Sequence, residues 1–140
     1  MSLFIIDTNI LTHLQEGDLE ISRRVRPFSA GELGISIITV EEDLGGWYTL
    51  LRKSHIAHKP DRKARVYAKF TKSINLMKLF KVYSYTEVAM ERYKELSQAG
   101  YNIGGNDLRI AAIAMEFNLV LVTRNTQHFN RIEGLNIELW

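Results

Sequence analysis

The chain has 140 residues, no cysteine and a formal net charge of +2. The length favours one domain over residues 1–140. The lack of cysteine excludes disulfides and thiolate metal sites, in keeping with a reducing cytoplasm. The first nine residues have neither the charged region nor the long apolar region of a signal peptide, and no run approaches the roughly 18 apolar residues of a membrane span. We therefore expect a cytoplasmic protein with no membrane partner.

Charge is distributed unevenly along the chain. The segment from Arg52 to Lys81 holds ten of the 18 basic residues and one of the 16 acids, a charge of +9, which leaves −7 on the remainder. A basic segment on an acidic body indicates a polyanionic partner at one face. A solvated basic helix that serves solubility explains the same segment, and on this feature alone it is the commoner case.

Short apolar runs alternate with helical patterns in the first half of the chain. Residues 3–6 are wholly apolar, which is typical of a buried strand in a parallel sheet, and a helix is predicted over 8–16. A second short helix fits 18–26. The segment GISII at 34–38 predicts a second strand, after which Thr39 opens a helix with apolar residues at helical spacing.

The alternation continues in the second half. Short, apolar, β-branched strands that alternate with helices predict an α/β fold: a mainly parallel central sheet of four to five strands, flanked by helices on both faces. The remaining predicted elements are a long basic helix from Pro60 through Met77, a strand at 81–85, a helix capped by Thr86 and ended by Gly100, an alanine-rich helix at 106–117, a strand at 119–122 and a short strand at 136–139.

Polar residues follow the ends of the predicted strands. Ligands of open α/β sheets bind outside the carboxyl ends of the strands, so these residues would converge although they lie far apart in the sequence. Oxygen ligands of this kind suit Mg²⁺ and Mn²⁺. The residues are Asp7, Thr8 and Asn9 after the first strand, Thr39, Glu41 and Glu42 after the second, Asp107 at the start of the alanine-rich helix, and Thr123, Arg124 and Asn125 after the fourth.

Each of these residues also has an ordinary structural explanation. Asp7 fits a helix N-cap, and Thr39 with Glu42 has the T-x-x-E spacing of a capping box. Asp107 is placed to interact with a helix dipole, and Asn125 fits a turn. Taken singly, caps are commoner than catalytic acids. Taken together, carboxylates at one sheet edge would repel one another unless a cation lies among them.

Several segments match one known pattern. LFIIDTN is a strand ending in Asp, Thr and Asn, and ISIITVEEDLGGW places Glu42, rather than Glu41, three residues after Thr39. IGGNDLRIAAIAMEFNLVLVTRN opens an alanine-rich helix with I-G-x-x-D and ends a strand in T-R-N. With the final HFNRIEGLNIELW, these segments run from Leu3 to Trp140 in the order found in PIN-domain ribonucleases. The chain most resembles the VapC toxins of bacterial toxin–antitoxin pairs.

The resemblance implies a PIN-like domain in which Asp7, Glu42 and Asp107 hold one or two Mg²⁺ or Mn²⁺ ions. A water that the ion activates would attack an RNA phosphodiester in line and leave a 5′-phosphate and a 3′-hydroxyl. The resemblance also implies tRNA or another structured RNA as substrate, a small antitoxin protein as partner, and a homodimer. The basic segment would guide the RNA backbone through Lys59, Arg62, Lys63, Arg65, Lys69 and Lys72.

Four residues next to the acids are expected to support them. Thr8 or Thr123 would position water or a carboxylate through its hydroxyl, and Asn9 would fix the turn after the first strand. Arg124 is a candidate for gripping phosphate, although a surface ion pair explains it equally well.

Two positions depart from the family pattern. Asn125 stands where the fourth acid is often Asp, and His128 stands where many members have Asp before Phe129. An amide oxygen still binds a metal or orients a water, but it contributes no charge. A PIN fold that binds RNA or a protein partner without cutting therefore remains an alternative, and metal-dependent cleavage of RNA discriminates the two.

Other enzymes of phosphate chemistry are disfavoured. A phosphatase on a similar sheet would release phosphate from small monoesters, but the first strand ends D-T-N without a second Asp two residues later. Nucleotide binding lacks support because the chain has neither G-x-G-x-x-G nor a P-loop.

Overall fold

The structure is a computed structural model that describes residues 3–140. Met1 and Ser2, which belong to the predicted single domain, lie outside the described residues. None of the helices described between residues 3 and 140 is long and apolar enough to cross a bilayer. The elements are, in order, β1 (Phe4–Ile6), α1 (Thr8–Gln15), α2 (Leu19–Val25), β2 (Leu33–Ser36), α3 (Ile37–Arg52), α4 (Ser54–Ala57), α5 (Pro60–Met77), β3 (Lys81–Tyr83), α6 (Glu87–Gln98), α7 (Gly105–Glu116), β4 (Val120–Thr123), α8 (Thr126–Phe129) and β5 (Ile137–Leu139).

The five strands form one parallel sheet in the order β3-β2-β1-β4-β5. In the central strand β1, Ile5 pairs with Gly34 of β2 on one side and with Leu121 of β4 on the other. After β1 the chain adds β2 and β3 on one side of β1, and it later returns to add β4 and β5 on the other side. Such a switch point opens a crevice at the carboxyl ends of the strands. The predicted α/β fold is confirmed, with all five strands parallel.

The core has two layers, one on each face of the sheet. Ile5 and Ile6 are adjacent in β1, so their side chains point to opposite faces, and both are wholly buried. Ile5 packs in the layer that includes residues of α6 and α7, whereas Ile6 packs in the layer that includes residues of α1, α2 and the end of α5. The end of β1 consequently lies between two groups of helices.

The start of α3 differs from the prediction. The strand predicted at 34–38 ends at Ser36, and the helix begins two residues before Thr39. The Ser36 hydroxyl accepts the N–H of Thr39 at 3.0 Å, so Ser36 is the N-cap. The capping-box interpretation of Thr39 and Glu42 was therefore wrong, because Thr39 already lies within the first turn. Its hydroxyl lies 3.0 Å from that of Thr8 instead.

Other differences concern short elements. The one-turn helices α4 and α8 were not predicted, because four residues carry too little periodicity. The third strand ends at Tyr83 rather than Tyr85, and the short last strand is present as β5. The long basic helix, α5, has the predicted bounds, Pro60 to Met77.

Candidate active site

Asp7 lies at the carboxyl end of the central strand and is only 3% exposed. Its Oδ1 accepts the N–H of Ile10 at 2.9 Å and so caps α1, as the cap interpretation predicted. Its Oδ2 accepts the hydroxyl of Thr123, at the end of β4, at 2.6 Å. Because both carboxylate oxygens are held, Asp7 is at once a cap and a fixed acid at the edge of the sheet.

The three predicted acids influence one another's charge. Burial raises the pKa of Asp7, and the charge of Asp107 raises it further, against the lowering by the hydrogen bonds of Thr123 and Ile10. Asp107 lies in the first turn of α7, where burial raises its pKa and Glu42 adds to the rise. The structure therefore brings the three acids to one end of the sheet, with Asp107 within electrostatic range of both Asp7 and Glu42.

Thr8 connects the first strand to Glu42. Its hydroxyl donates to Glu42 Oε1 at 2.8 Å and lies 3.0 Å from the hydroxyl of the wholly buried Thr39. Both threonines predicted to support the site thus contact a carboxylate through their hydroxyls, Thr8 with Glu42 and Thr123 with Asp7. Glu41 is exposed on α3, and Asn9 is exposed in the first turn of α1.

Asn125 and His128 form a pair at the fourth position. The side-chain amide nitrogen of Asn125 lies 2.8 Å from His128 Nδ1, and its backbone N–H donates to the Thr123 hydroxyl at 2.9 Å. The positive charge of His128, when protonated, lowers the pKa of Asp107 against the larger effect of burial. His128, which the sequence marked only as a departure from the family pattern, is thus close enough to Asp107 to influence its pKa.

Arg124 contacts neighbours other than the acids. Its Nη1 donates to Asp18 Oδ2 at 3.0 Å, and its Nε donates to the backbone carbonyl of Trp140 at 3.0 Å. The backbone N–H of Ile21 and, to a smaller extent, the bond from Arg124 lower the pKa of Asp18. Of the two interpretations of Arg124, the surface ion pair describes this geometry.

The acids fit a hard divalent cation in their chemistry. They offer carboxylate oxygens, the ligands that Mg²⁺ and Mn²⁺ prefer in proteins. In the described part of the chain, no group of three or more acid or histidine side chains, these three acids included, forms a cage that could hold a metal ion. Mg²⁺ requires no such cage, because it usually keeps several waters and binds protein through one or two carboxylates.

A cleft of about 970 Å³ opens between α1, α3 and α5, beside the acids. Thr8 and Glu42 line it, and so do Lys69 and Lys72 of the basic helix. Of the three acids, Glu42 is the one that lines this cleft, so the basic helix faces the acid site on the side of Glu42. Among the other predicted RNA contacts, Lys63 is half-buried and three are exposed near the start of α5: Lys59, Arg62 and Arg65.

Asp43, which the sequence analysis did not single out, joins three helices beside this cleft. Its Oδ1 accepts Gln15 Nε2 of α1 at 2.9 Å, and its Oδ2 accepts Ser73 Oγ of α5 at 2.5 Å and Trp47 Nε1 of α3 at 3.1 Å. Trp47 also stacks on Phe70 at a centroid distance of 6.0 Å. Trp47 is thus half-buried between α3 and α5, where it lines the cleft.

The family model of the PIN domain matches residues 4–135. The chain belongs to the PIN domain family. Ribonuclease VapC2 of Haemophilus influenzae is 30% identical over 100% of this chain and 99% of the relative. The tRNA(fMet)-specific endonuclease VapC of Shigella flexneri is 28% identical over 100% of this chain and 99% of the relative. The resemblance to VapC proteins is thereby confirmed.

Solved VapC structures have the same fold. The DNA-bound VapBC of Salmonella typhimurium has a TM-score of 0.77 and 25% identity, over 100% of this chain and 99% of that chain. VapBC-1 of nontypeable Haemophilus influenzae has a TM-score of 0.75 and 26% identity, over 99% and 98%. In this PIN domain the motif residues Asp7, Glu42 and Asp107 share one edge of the sheet, with Asn125 and His128 beside them.

Proposed function

We propose that this PIN-domain protein is a Mg²⁺- or Mn²⁺-dependent endoribonuclease, the toxin of a toxin–antitoxin pair, acting on tRNA or another structured RNA. The shared negative charge of Asp7, Glu42 and Asp107, beside a lysine-lined cleft, carries the proposal. The relatives named as ribonuclease and as tRNA-specific endonuclease support RNA as the substrate, and the VapBC complex supports an antitoxin partner. A homodimer is proposed on the family resemblance.

In the proposed mechanism, Asp7, Glu42 and Asp107 would hold the ion directly or through waters. When bound, such an ion supplies an activated water and offsets the charge that grows on the attacked phosphate. The hydrogen bonds from Thr123 to Asp7 and from Thr8 to Glu42 hold those carboxylates in place before substrate arrives. Water attacks phosphorus in line with the departing 3′-oxygen, so the P–O3′ bond breaks and a 5′-phosphate and a 3′-hydroxyl result.

Cleavage should depend on the metal. We expect the purified protein, free of antitoxin, to cut total tRNA with Mg²⁺ or Mn²⁺ and to stop in EDTA, because the clustered acids need a cation before they tolerate a phosphate. Gel analysis and end-labelling of the products would check both the cutting and the 5′-phosphate. If folded protein cuts neither tRNA nor ribosomal RNA nor single-stranded RNA, this proposal is wrong and the second candidate takes its place.

The second candidate is a PIN module that binds RNA without cutting it. The pair of Asn125 and His128 at the fourth position favours it, since neither side chain adds a negative charge. RNA binding that persists in EDTA, without cleavage under any metal condition, is its expected signature. Release of phosphate from small monoesters would instead indicate a phosphatase.

The lysines of the cleft are proposed to hold the RNA backbone. Replacing Lys69 and Lys72 by Gln should weaken binding of single-stranded RNA and lower the slope of log affinity against log salt by about 1.4, since each phosphate contact contributes about 0.7. Titrations of labelled RNA in EDTA at several salt concentrations would measure the slope. The control, Arg23→Gln with Arg24→Gln, removes two exposed charges on α2. An equal change of slope in both double variants would contradict a specific role for the cleft.

A further inference from the structure

Arg109 of α7 is held by neighbours on several sides. Its guanidinium lies over the ring of Tyr93, with 4.6 Å from the guanidinium carbon to the ring centroid. Its Nη1 donates to Asn106 Oδ1 at 2.9 Å, and the Tyr85 hydroxyl lies within reach of the same group. Gly105 allows this approach, because a Cβ there would lie 3.1 Å from Nη1. The guanidinium is thus oriented before any ligand binds.

The charge of Arg109 is oriented without being neutralised. Between residues 3 and 140, arginine ion pairs with carboxylates involve other arginines, namely Arg23, Arg24, Arg65 and Arg124. The neighbours of Arg109 are an aromatic ring, a phenol and an amide, which supply no negative charge. A guanidinium has five N–H donors in a planar fork that matches phosphate, and these contacts use only some of them. The half-buried side chain therefore retains donors for an anion.

Arg109 lies on the opposite side of the acid site from the basic helix. Tyr85 follows β3 by two residues, so it stands at the carboxyl edge of the parallel sheet, where the acids are. Tyr85 and Tyr93 pack against the core layer of Ile5, whereas the end of α5 packs in the layer of Ile6. The partners of Arg109 and the end of the basic helix therefore pack on opposite faces of the sheet that carries the acids.

We propose that Arg109, oriented by Tyr85 and Tyr93, binds a backbone phosphate of the RNA strand on the side of the acid site opposite the basic helix. The proposal rests on the proposed ribonuclease function and deepens it by assigning a second contact to the substrate backbone. A strand held on both sides of the scissile bond is restricted in position, which favours in-line attack. Arg109 is a substrate-binding residue in this scheme, separate from the three acids.

The test is the salt dependence of RNA binding. Labelled single-stranded RNA is titrated with the full chain in EDTA at several salt concentrations, and gels verify that the RNA stays intact. Arg109→Gln should weaken binding about ten-fold and reduce the salt slope by about 0.7. Arg109→Lys should keep the slope but lose part of the affinity, because the charge remains and the fork is lost. Tyr85→Phe should weaken binding without changing the slope.

Lys94→Gln is the matched control, since it removes one exposed positive charge from α6 and should leave affinity and slope unchanged. If the role of Arg109 is purely structural, its variants should melt at lower temperatures, but the folded protein should show the wild-type slope of log RNA affinity against log salt. That result, or an unchanged slope in a well-folded Arg109→Gln, overturns the phosphate contact and leaves the ribonuclease standing. Wild type that binds RNA but never cuts it overturns the ribonuclease alone, and wild type that binds no RNA overturns both.

Discussion

Asp107→Asn is expected to abolish RNA cleavage, with a fall in kcat/KM of at least about 100-fold, while it raises the melting temperature of the metal-free protein. Burial and the charge of Glu42 raise the pKa of Asp107 above its ordinary value of 3.8. The ionised carboxylate is therefore less stable in the folded chain than in the unfolded one. Asparagine keeps the shape and removes the charge, so both the proposed metal ligand and the destabilisation disappear.

The raised pKa of Asp107 also determines how the stability of the protein changes with pH. Because the folded protein holds this proton more tightly than the unfolded chain, the free energy of unfolding falls as pH increases from 3.8 through the raised pKa. The destabilisation persists at neutral pH until a cation offsets it. We expect the difference in stability between Asp107→Asn and wild type to grow over this interval and then to level off.

Melting curves in EDTA from about pH 4 to about pH 8 would measure that difference, and cleavage of tRNA with Mn²⁺ would measure activity. Glu91→Gln removes an exposed carboxylate from α6 and serves as the matched control, with both properties unchanged. Mn²⁺ should raise the melting temperature of wild type and have little effect on Asp107→Asn. A variant that melts below wild type in EDTA would contradict the electrostatic account, and one that still cuts would remove Asp107 from the site.

The acids of the site were predictable because each one is marked locally. Asp7 ends an apolar strand, and Asp107 opens an alanine-rich helix, so one short window of sequence suffices for each. Their approach to one another is a property of the sheet order, in which β4 returns beside β1. The α/β class was predictable from the alternation of strands and helices, but the position of the N-cap of α3 was not. Ser36 and Thr39 are both good caps, and the end of β2 decides between them.

Contacts between residues far apart in the sequence could not be predicted, because they leave no local pattern. Arg124 in T-R-N has the chemistry of a phosphate ligand, yet Asp18, 106 residues earlier, pairs with it. Asp43 follows Glu42 directly and could be taken for another surface acid of α3. Its partners Gln15 and Ser73 lie 28 and 30 residues away. Only the packing of three helices shows that Asp43 is a structural acid, whereas Glu42 stays a predicted site acid.

Asp43→Ala is expected to lower the free energy of unfolding by about 3 kcal/mol, because three donors then lose their acceptor in a partly buried place. Ser73, which is 3% exposed, has the least access to replacement water. For a chain of this size the loss corresponds to a fall of about 10 °C in the melting temperature. Asp43→Asn should lose less, since its remaining carbonyl oxygen still accepts while its amide faces a donor.

Asp43→Ala should also affect RNA binding, through the position of α5. Ser73 is adjacent to Lys72 and one turn after Lys69, so the bond from Ser73 to Asp43 sets where both lysines stand over the cleft. We expect Asp43→Ala to weaken RNA binding even well below its melting temperature. Glu41→Ala, an exposed acid two residues earlier on α3, should alter neither stability nor binding. If Asp43→Ala melts like wild type, its hydrogen bonds do not hold α5. If it melts early but binds RNA normally when folded, the lysines do not depend on them.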